Sequence, residues 1–307
     1  RGSGGNRRLV PGQPVVVGAA PGQSTRAMTV LVIGADGQLG RAILRAAADA
    51  RVIALVRRDL DVTKREDVHE AVAAHRPAVL VNCAAWTDVD GHELDPSRAR
   101  RINVDAPTFL REACDATGTH LVHISTDFVF DGARDRPYPE SHPTGPLNVY
   151  GTTKLGGELA VGPSATLVRT SWLQDSVGPN VVKSVVDGLS GIGEVALPGD
   201  RWSTPSFSDD VARVVWRLAT EHHPGVVHAA NEGVTSWADF ARAVADEVGH
   251  DRGRIRATIE ADYRPPRPAR RPRYSALENT VLRDLGHPPM RHHRDVVAEI
   301  LSRLRGD

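Results

Sequence analysis

The chain has 307 residues, 40% hydrophobic and 25% charged, which allows one large α/β unit with an annexe, or two domains. Lys+Arg and Asp+Glu both number 38, so the formal net charge is zero and no global imbalance recruits nucleic acid or an anionic membrane. Apolar runs such as Met28 to Ile33 are too short to span a bilayer, no secretory pattern occurs, and two cysteines, Cys83 and Cys114, make no disulfide framework; a reduced, cytoplasmic protein is expected.

Arg1 to Ala27 is rich in Gly, Pro, Arg, Gln and Ser and lacks a sustained period, so it reads as a flexible leader, with the fold beginning at Met28. From there short apolar runs alternate with helical patterns. The spacing predicts strands at 29–34, 52–56, 78–82, 120–125, 166–169 and 226–229, and helices at 38–49, 64–75, 96–117, 149–161 and 209–220. Thr63 with Glu66 three residues on resembles a capping box for the second helix. Strands this apolar are covered on both faces, so the rhythm predicts an α/β fold: a Rossmann-type doubly wound parallel sheet. After Trp172 the rhythm loosens. Pro and Gly crowd 177–206, and a Pro/Arg-rich stretch, Arg264 to Arg273, precedes an amphipathic end from Arg294 to Leu304. These features predict a smaller α/β substrate-binding lobe, 171–204 with 232–307, beside a cofactor-binding domain of 28–170 with 205–231.

The first strand runs into Gly34-Ala35-Asp36-Gly37-Gln38-Leu39-Gly40. Gly34 permits the tight turn, Gly37 lets a pyrophosphate approach the backbone, and Gly40 lets the helix pack on the strand. The free N–H groups at Gln38 and Leu39, where the helix starts, hold phosphate. At the end of the second strand, where an acidic residue would bind a ribose, stand Arg57 and Arg58. Paired guanidinium groups there favour a 2′-phosphate, hence NADPH with NADH possible; solvated arginines at a strand end are the plainer reading. Asp61 and Val62 follow in a position suited to adenine. Cys83, Ala84 and Ala85 end the third strand with side chains small enough to leave room for a ribose.

Tyr150 and Lys154 are four residues apart, one turn of a helix, and their side chains converge. An ammonium beside a phenol lowers the phenol's pKa from about 10 and makes it a usable proton donor. Ser125 and Thr126 end the apolar strand between glycine turn and tyrosine.

These pieces resemble the extended short-chain dehydrogenase/reductases and, within them, the dTDP-4-dehydrorhamnose reductase family. The resemblance runs from Thr29 to about Asp210, with a weaker echo at 271–279. It is carried by Val-Ile-Gly-Ala-Asp-Gly-Gln-Leu-Gly (32–40), Leu-Asp-Val-Thr (60–63), Val-Asn-Cys-Ala-Ala-Trp-Thr-Asp-Val-Asp (81–90) and His-Ile-Ser-Thr-Asp-Phe-Val-Phe-Asp-Gly (123–132), with Asn148 to Lys154 and Arg169-Thr170-Ser171-Trp172.

The resemblance implies reduction of the C4 ketone of a nucleotide-linked 4-keto-6-deoxyhexose. Tyr150 would protonate the carbonyl oxygen, Lys154 would hold the nicotinamide ribose, and Thr126, with Ser125 as fallback, would donate to the developing alkoxide. Asn103 would position Lys154 through water, or is a buried asparagine bonded to backbone. Trp172 would cover the sugar, Trp86, Asp88 and Asp127 would border its cleft, Arg201 lies in a loop between lobe and sheet, and Arg271 or Arg273 would clamp a diphosphate. The chain departs from the family at Arg201 and Ser203, usually glutamine and glycine, and at Gln174, usually tyrosine. No metal is expected, and Ala42 stands where some relatives place a magnesium-binding glutamate; a monomer or homodimer follows. A same-fold epimerase or dehydratase is the alternative, although Phe128 replaces the second acid a dehydratase carries after its catalytic hydroxyl. A non-catalytic dinucleotide-binding regulatory subunit is the other alternative.

Overall fold

The computed structural model describes residues 16–17, 28–47, 50–175 and 181–305. Its main sheet has seven strands, β1 (Val16–Val17), β2 (Thr29–Ile33), β3 (Arg51–Leu55), β4 (Val79–Asn82), β5 (His120–Thr126), β6 (Thr166–Thr170) and, later in the chain, β11 (Gly225–His228). They lie in the order β1-β3-β2-β4-β5-β6-β11, parallel throughout except that β1 runs antiparallel against β3. Two residues of the leader therefore extend the sheet, with Val16 opposite Ile53 and Val17 opposite Val52. The rest of the leader lies outside the described residues, as do 48–49 of the first predicted helix and 176–180 of the Pro/Gly-rich loop.

Alternate side chains of β2 leave opposite faces of the sheet. Val30 and Val32 pack with α1 (Gln38–Ala46) and, later in the chain, α8 (Ser208–Glu221); Leu31 and Ile33 pack with α2 (Arg65–His75) and α5 (Ala106–Thr117). Two covered faces explain why these strands read as continuous apolar runs. The predicted capping box at Thr63 is not formed. Lys64 is the N-cap of α2, and both the N–H and the hydroxyl of Thr63 bond Asp61 instead.

The predicted helix 96–117 is three pieces: α4 (Pro96–Arg100), a π-turn over Arg101–Asp105, and α5, with α3 (Val89–Leu94) just before them. The Ala106 N–H reaches back five residues to Arg101, and Pro107 brings no N–H to the ladder. Then comes α6 (Val149–Val161), as predicted.

The smaller lobe has its own apolar core, built by α7 (Val181–Ser190), α9 (Trp237–Glu247) and α11 (His293–Arg305), where Val182, Val185, Phe240, Val244, Val297 and Ile300 meet. Three two-stranded pieces lie outside the main sheet: β7 (Leu173–Gln174) with β10 (Ser206–Phe207), β9 (Trp202–Ser203) with β12 (Thr235–Ser236), and β8 (Val195–Pro198) with β13 (Ile255–Thr258). A last short helix, α10 (Thr280–Asp284), packs on β11. Among the described residues no helix is long and apolar enough to cross a membrane.

Candidate active site

Two clefts meet over the carboxyl ends of β2, β4 and β5, where an open parallel sheet presents its ligand site. The glycine turn forms their shared wall. Gly34 has φ +73, and a Cβ there would lie 2.8 Å from Ala84 N; a Cβ on Gly40 would strike the Gly34 carbonyl and come within 2.8 Å of Ala35 Cα. Bare backbone at both positions lets turn, helix and β4 end close together, leaving a phosphate-sized approach at the start of α1. That cradle fits a dinucleotide.

The first cleft, about 480 Å³, is lined by Gly37, Gln38 and Leu39 on one side and by Thr126, Tyr150 and Lys154 on the other, with Trp172 at its edge. The second, about 450 Å³, runs from Gly34 and Gly37 to Arg57, Asp61 and Val62, with Ala84, Ala85 and Trp86 along its floor. Cys83 lines both clefts, and burial pushes its thiol up to about 12, so it acts as a small wall residue and not as a nucleophile. Asp61 accepts from the Thr63 hydroxyl at 2.7 Å and from its N–H at 3.1 Å, which keeps its carboxyl below the ordinary value and ionised. Arg57 also lines a separate hollow with Arg58, Val56 and Asp36.

Tyr150 and Lys154 stand on α6, whose N-cap Asn148 accepts from the Gly151 N–H at 2.7 Å. Gly151 is needed here because a Cβ would strike the Phe128 carbonyl. The expected lowering of the tyrosine pKa is not what this geometry gives. Burial dominates and pushes the phenol up to about 12, opposed by its hydrogen bond with Thr126. Lys154 is itself desolvated and falls to about 8, and its Nζ donates to the Ile124 carbonyl at 2.6 Å. The phenol is thus a firmly protonated donor and the lysine a cation that titrates near neutrality.

Several predicted residues lie elsewhere. The Asn103 amide clasps both backbone groups of Trp86 at 3.1 Å and meets His92 Nε2 at 2.9 Å, which fits the reading of a buried asparagine bonded to backbone. Trp86 is thereby fixed between His92, stacked at 4.3 Å, and the Arg98 guanidinium at 4.3 Å. Asp88 caps α3 through Gly91 N–H. Asp127 is buried at 2% exposure behind Thr126, where Ser203 and Ser275 donate to it. Thr126 gives its own hydroxyl proton to Asp127 at 3.1 Å, so donation to an alkoxide requires that hydroxyl to turn. Ser125 also lines the first cleft, and its hydroxyl donates to Glu158 at 2.5 Å.

A third cleft, about 200 Å³, adjoins the first across Trp172 and gathers Phe128, Arg201, Arg267 and Arg271. Arg201 pairs with Asp200 at 3.0 Å and Arg271 with Asp90 at 2.8 Å. Trp172 has φ +41 and stacks on Trp237 at 3.6 Å. Sequence reasoning missed Trp237, Arg98, Ser203 as a ligand of Asp127, and Ser275. Only Trp237 had a local signal: Ser236 and Asp239 form a helix cap just ahead of the apolar positions of α9.

The family model for the RmlD substrate binding domain matches residues 28–305. The chain is 40% identical over 287 residues to a dTDP-4-dehydrorhamnose reductase of Streptomyces griseus, covering 90% of this chain and 94% of that one. It is 38% identical over 285 residues to a dTDP-4-keto-6-deoxy-D-glucose reductase of Streptomyces niveus, covering 90% and 98%. Among solved structures, a dTDP-4-dehydrorhamnose reductase of Bacillus anthracis in complex with NADP superposes with TM-score 0.85 at 28% identity, covering 92% of this chain and 100% of that one. With a glycine cradle, a paired tyrosine and lysine, and likeness along nearly its whole described length, the chain belongs to the dTDP-4-dehydrorhamnose reductase family.

Proposed function

We propose that the protein reduces the C4 ketone of a dTDP-linked 4-keto-6-deoxyhexose with NADPH. The observation that carries this reading is the first cleft, where a phosphate-binding turn faces Thr126, Tyr150 and Lys154 across one cavity. A bound nicotinamide supplies the hydride for the carbonyl carbon. Tyr150 gives its phenolic proton to the carbonyl oxygen, and burial keeps that proton in place until the oxygen becomes basic. Lys154, one turn along α6, offers its ammonium to the ribose hydroxyls and to the phenolate left behind. Thr126 holds the phenol oxygen at the cleft. Asn103 acts at one remove, fixing Trp86 and His92, and the ring of His92 meets the tyrosine edge-on at 5.1 Å.

Arg57 and Arg58 bind a 2′-phosphate, and Asp61 and Val62 border adenine. Trp172 shapes the sugar site, while Arg201 and Arg271, in the third cleft, face the diphosphate. Residues 28–170 with 205–231 form the cofactor domain, and the remainder after 170 the substrate lobe. The enzyme works in the cytoplasm as monomer or homodimer, on a nucleotide sugar rather than on nucleic acid or membrane. Dehydration, which uses a second acid beside the catalytic hydroxyl, is disfavoured by Phe128 and by the burial of Asp127.

The test is consumption of NADPH by purified protein with dTDP-linked 4-keto-6-deoxyhexoses of either C5 configuration. Turnover with one of them is expected, with NADH at least about tenfold poorer. No turnover with any of them, despite tight NADPH binding, would favour a binding subunit.

A further inference from the structure

Trp172 borders the first cleft and the third, so the placement of its indole sets the shape of both. It does this from an unusual backbone. Its φ of +41 lies in the left-handed region, which a bulky aromatic residue rarely adopts and which persists only where the surroundings hold it. Here the neighbouring chain does so. Just ahead, the hydroxyls of Ser171 and Thr204 meet at 2.9 Å. The Trp172 carbonyl accepts from the Gln174 side-chain amide at 2.9 Å and from the Ser206 N–H at 3.3 Å. Its indole lies flat on that of Trp237, with centroids 3.6 Å apart and planes 8° from parallel.

Among these partners Gln174 reaches furthest. It sits on β7 opposite Phe207 of β10 and is 2% exposed, and an amide that far from water is kept only with its hydrogen bonds made. The amide nitrogen goes to the Trp172 carbonyl, and the amide oxygen accepts at 3.0 Å from the N–H of Val181, the first residue of α7. The leading N–H groups of a helix have no partner within it, so this bond also decides which way the amide faces. Reversed, it would set NH2 against an N–H and oxygen against a carbonyl. One planar amide therefore ties the wall of the catalytic cleft to the helix that opens the core of the smaller lobe.

We propose that Gln174 is a positioning residue for the sugar: anchored on the start of α7, its amide holds Trp172 in the left-handed conformation that seats the indole on Trp237 as the wall between the first and third clefts. The proposal rests on the reductase reading of this site. Trp172 meets the substrate, and Gln174 acts through it. An apolar side chain at 174 leaves the Val181 N–H and the Trp172 carbonyl each one partner short. The backbone of Trp172 then relaxes out of the left-handed region, and the indole lifts from Trp237.

The experiment reads the 1H–15N indole cross-peak of Trp172, one of five in the chain, assigned by its loss in Trp172→Phe. Stacked rings shift one another's resonances, so Trp237→Leu marks the position of an unstacked Trp172. Gln174→Met, close in volume and with no donor to offer, should move the peak towards that position. With it, KM for the sugar should rise about tenfold, with kcat within about threefold and the Kd for NADPH within about twofold. Val181→Pro removes the anchoring N–H at a helix position that accommodates proline, and should move the peak the same way. A folded Gln174→Met with the wild-type peak, or with NADPH binding weakened as much as sugar binding, overturns the proposal and leaves Gln174 a joint between lobe and sheet. Should Gln174→Met fail to fold, Val181→Pro decides, and an unmoved peak there overturns the proposal. Should wild type turn over no keto sugar, the reductase reading fails, while the peak positions still judge whether Gln174 holds Trp172.

Discussion

Removing the charge of Glu158 should both destabilise the fold and disturb catalysis. Glu158 sits on α6 four residues beyond Lys154, and its pairing with Arg169 of β6 leaves each side chain only 5% exposed. Arg169 Nε donates to Oε1 at 2.9 Å and a terminal nitrogen donates to Oε2 at 2.7 Å, a two-point clasp that Ser125 completes. Glu158→Gln keeps the volume but leaves the buried guanidinium without its counter-charge, a change that costs about 3–5 kcal/mol. For a chain of 307 residues that corresponds to a Tm lower by roughly 5–8 °C.

The second consequence concerns Lys154. Burial lowers its pKa to about 8, and Glu158 is the foremost charge opposing that fall. Without Glu158 the lysine loses its proton at lower pH, and the alkaline limb of kcat/KM should move down with it. Denaturant unfolding and a pH–rate profile read the two effects on the same sample. Glu158→Gln with Arg169→Met should recover most of the stability, since neither charge then stands alone, but not the alkaline limb. A single variant within about 1 kcal/mol of wild type, or a double variant as unstable as the single, would refute the reasoning.

Three further outcomes follow from the same geometry. In wild type, Lys154 is charged below about 8, so activity that needs its ammonium should fall as pH rises through that value, and Lys154→Met should be nearly inactive at every pH. Gly34→Ala should weaken NADPH binding at least about tenfold by fluorescence titration, because φ +73 and the approach of Ala84 N both exclude a Cβ. Arg57→Ala with Arg58→Ala should lower the preference for NADPH over NADH by about tenfold or more, with little change in kcat for NADH.

What the sequence discloses here depends on range. The glycine turn, the Tyr150–Lys154 spacing and the alternation of strands and helices are written within a few residues of one another, and α6 spans the predicted 149–161. Directions of side chains set by distant partners were not legible. Asn103, within the π-turn, bonds Trp86 and His92, and Asp127 accepts from Ser203 and Ser275, which lie 76 and 148 residues away. The Tyr150 pKa shows the same limit. Spacing brings an ammonium near the phenol, whereas the burial that raises it to about 12 depends on the packing of α3, β5 and α6 together. The stack of Trp172 on Trp237 likewise joins residues 65 positions apart by number, across the seam between sheet and lobe.

The central claim is hydride delivery to the sugar ketone with Tyr150 as proton donor. The most direct measurement follows deuterium from C4-deuterated NADPH into the product, with Tyr150→Phe alongside. One deuterium at the sugar C4, with the variant binding NADPH normally but transferring almost none, is the predicted result. A product without deuterium, or a variant as fast as wild type, would contradict the account.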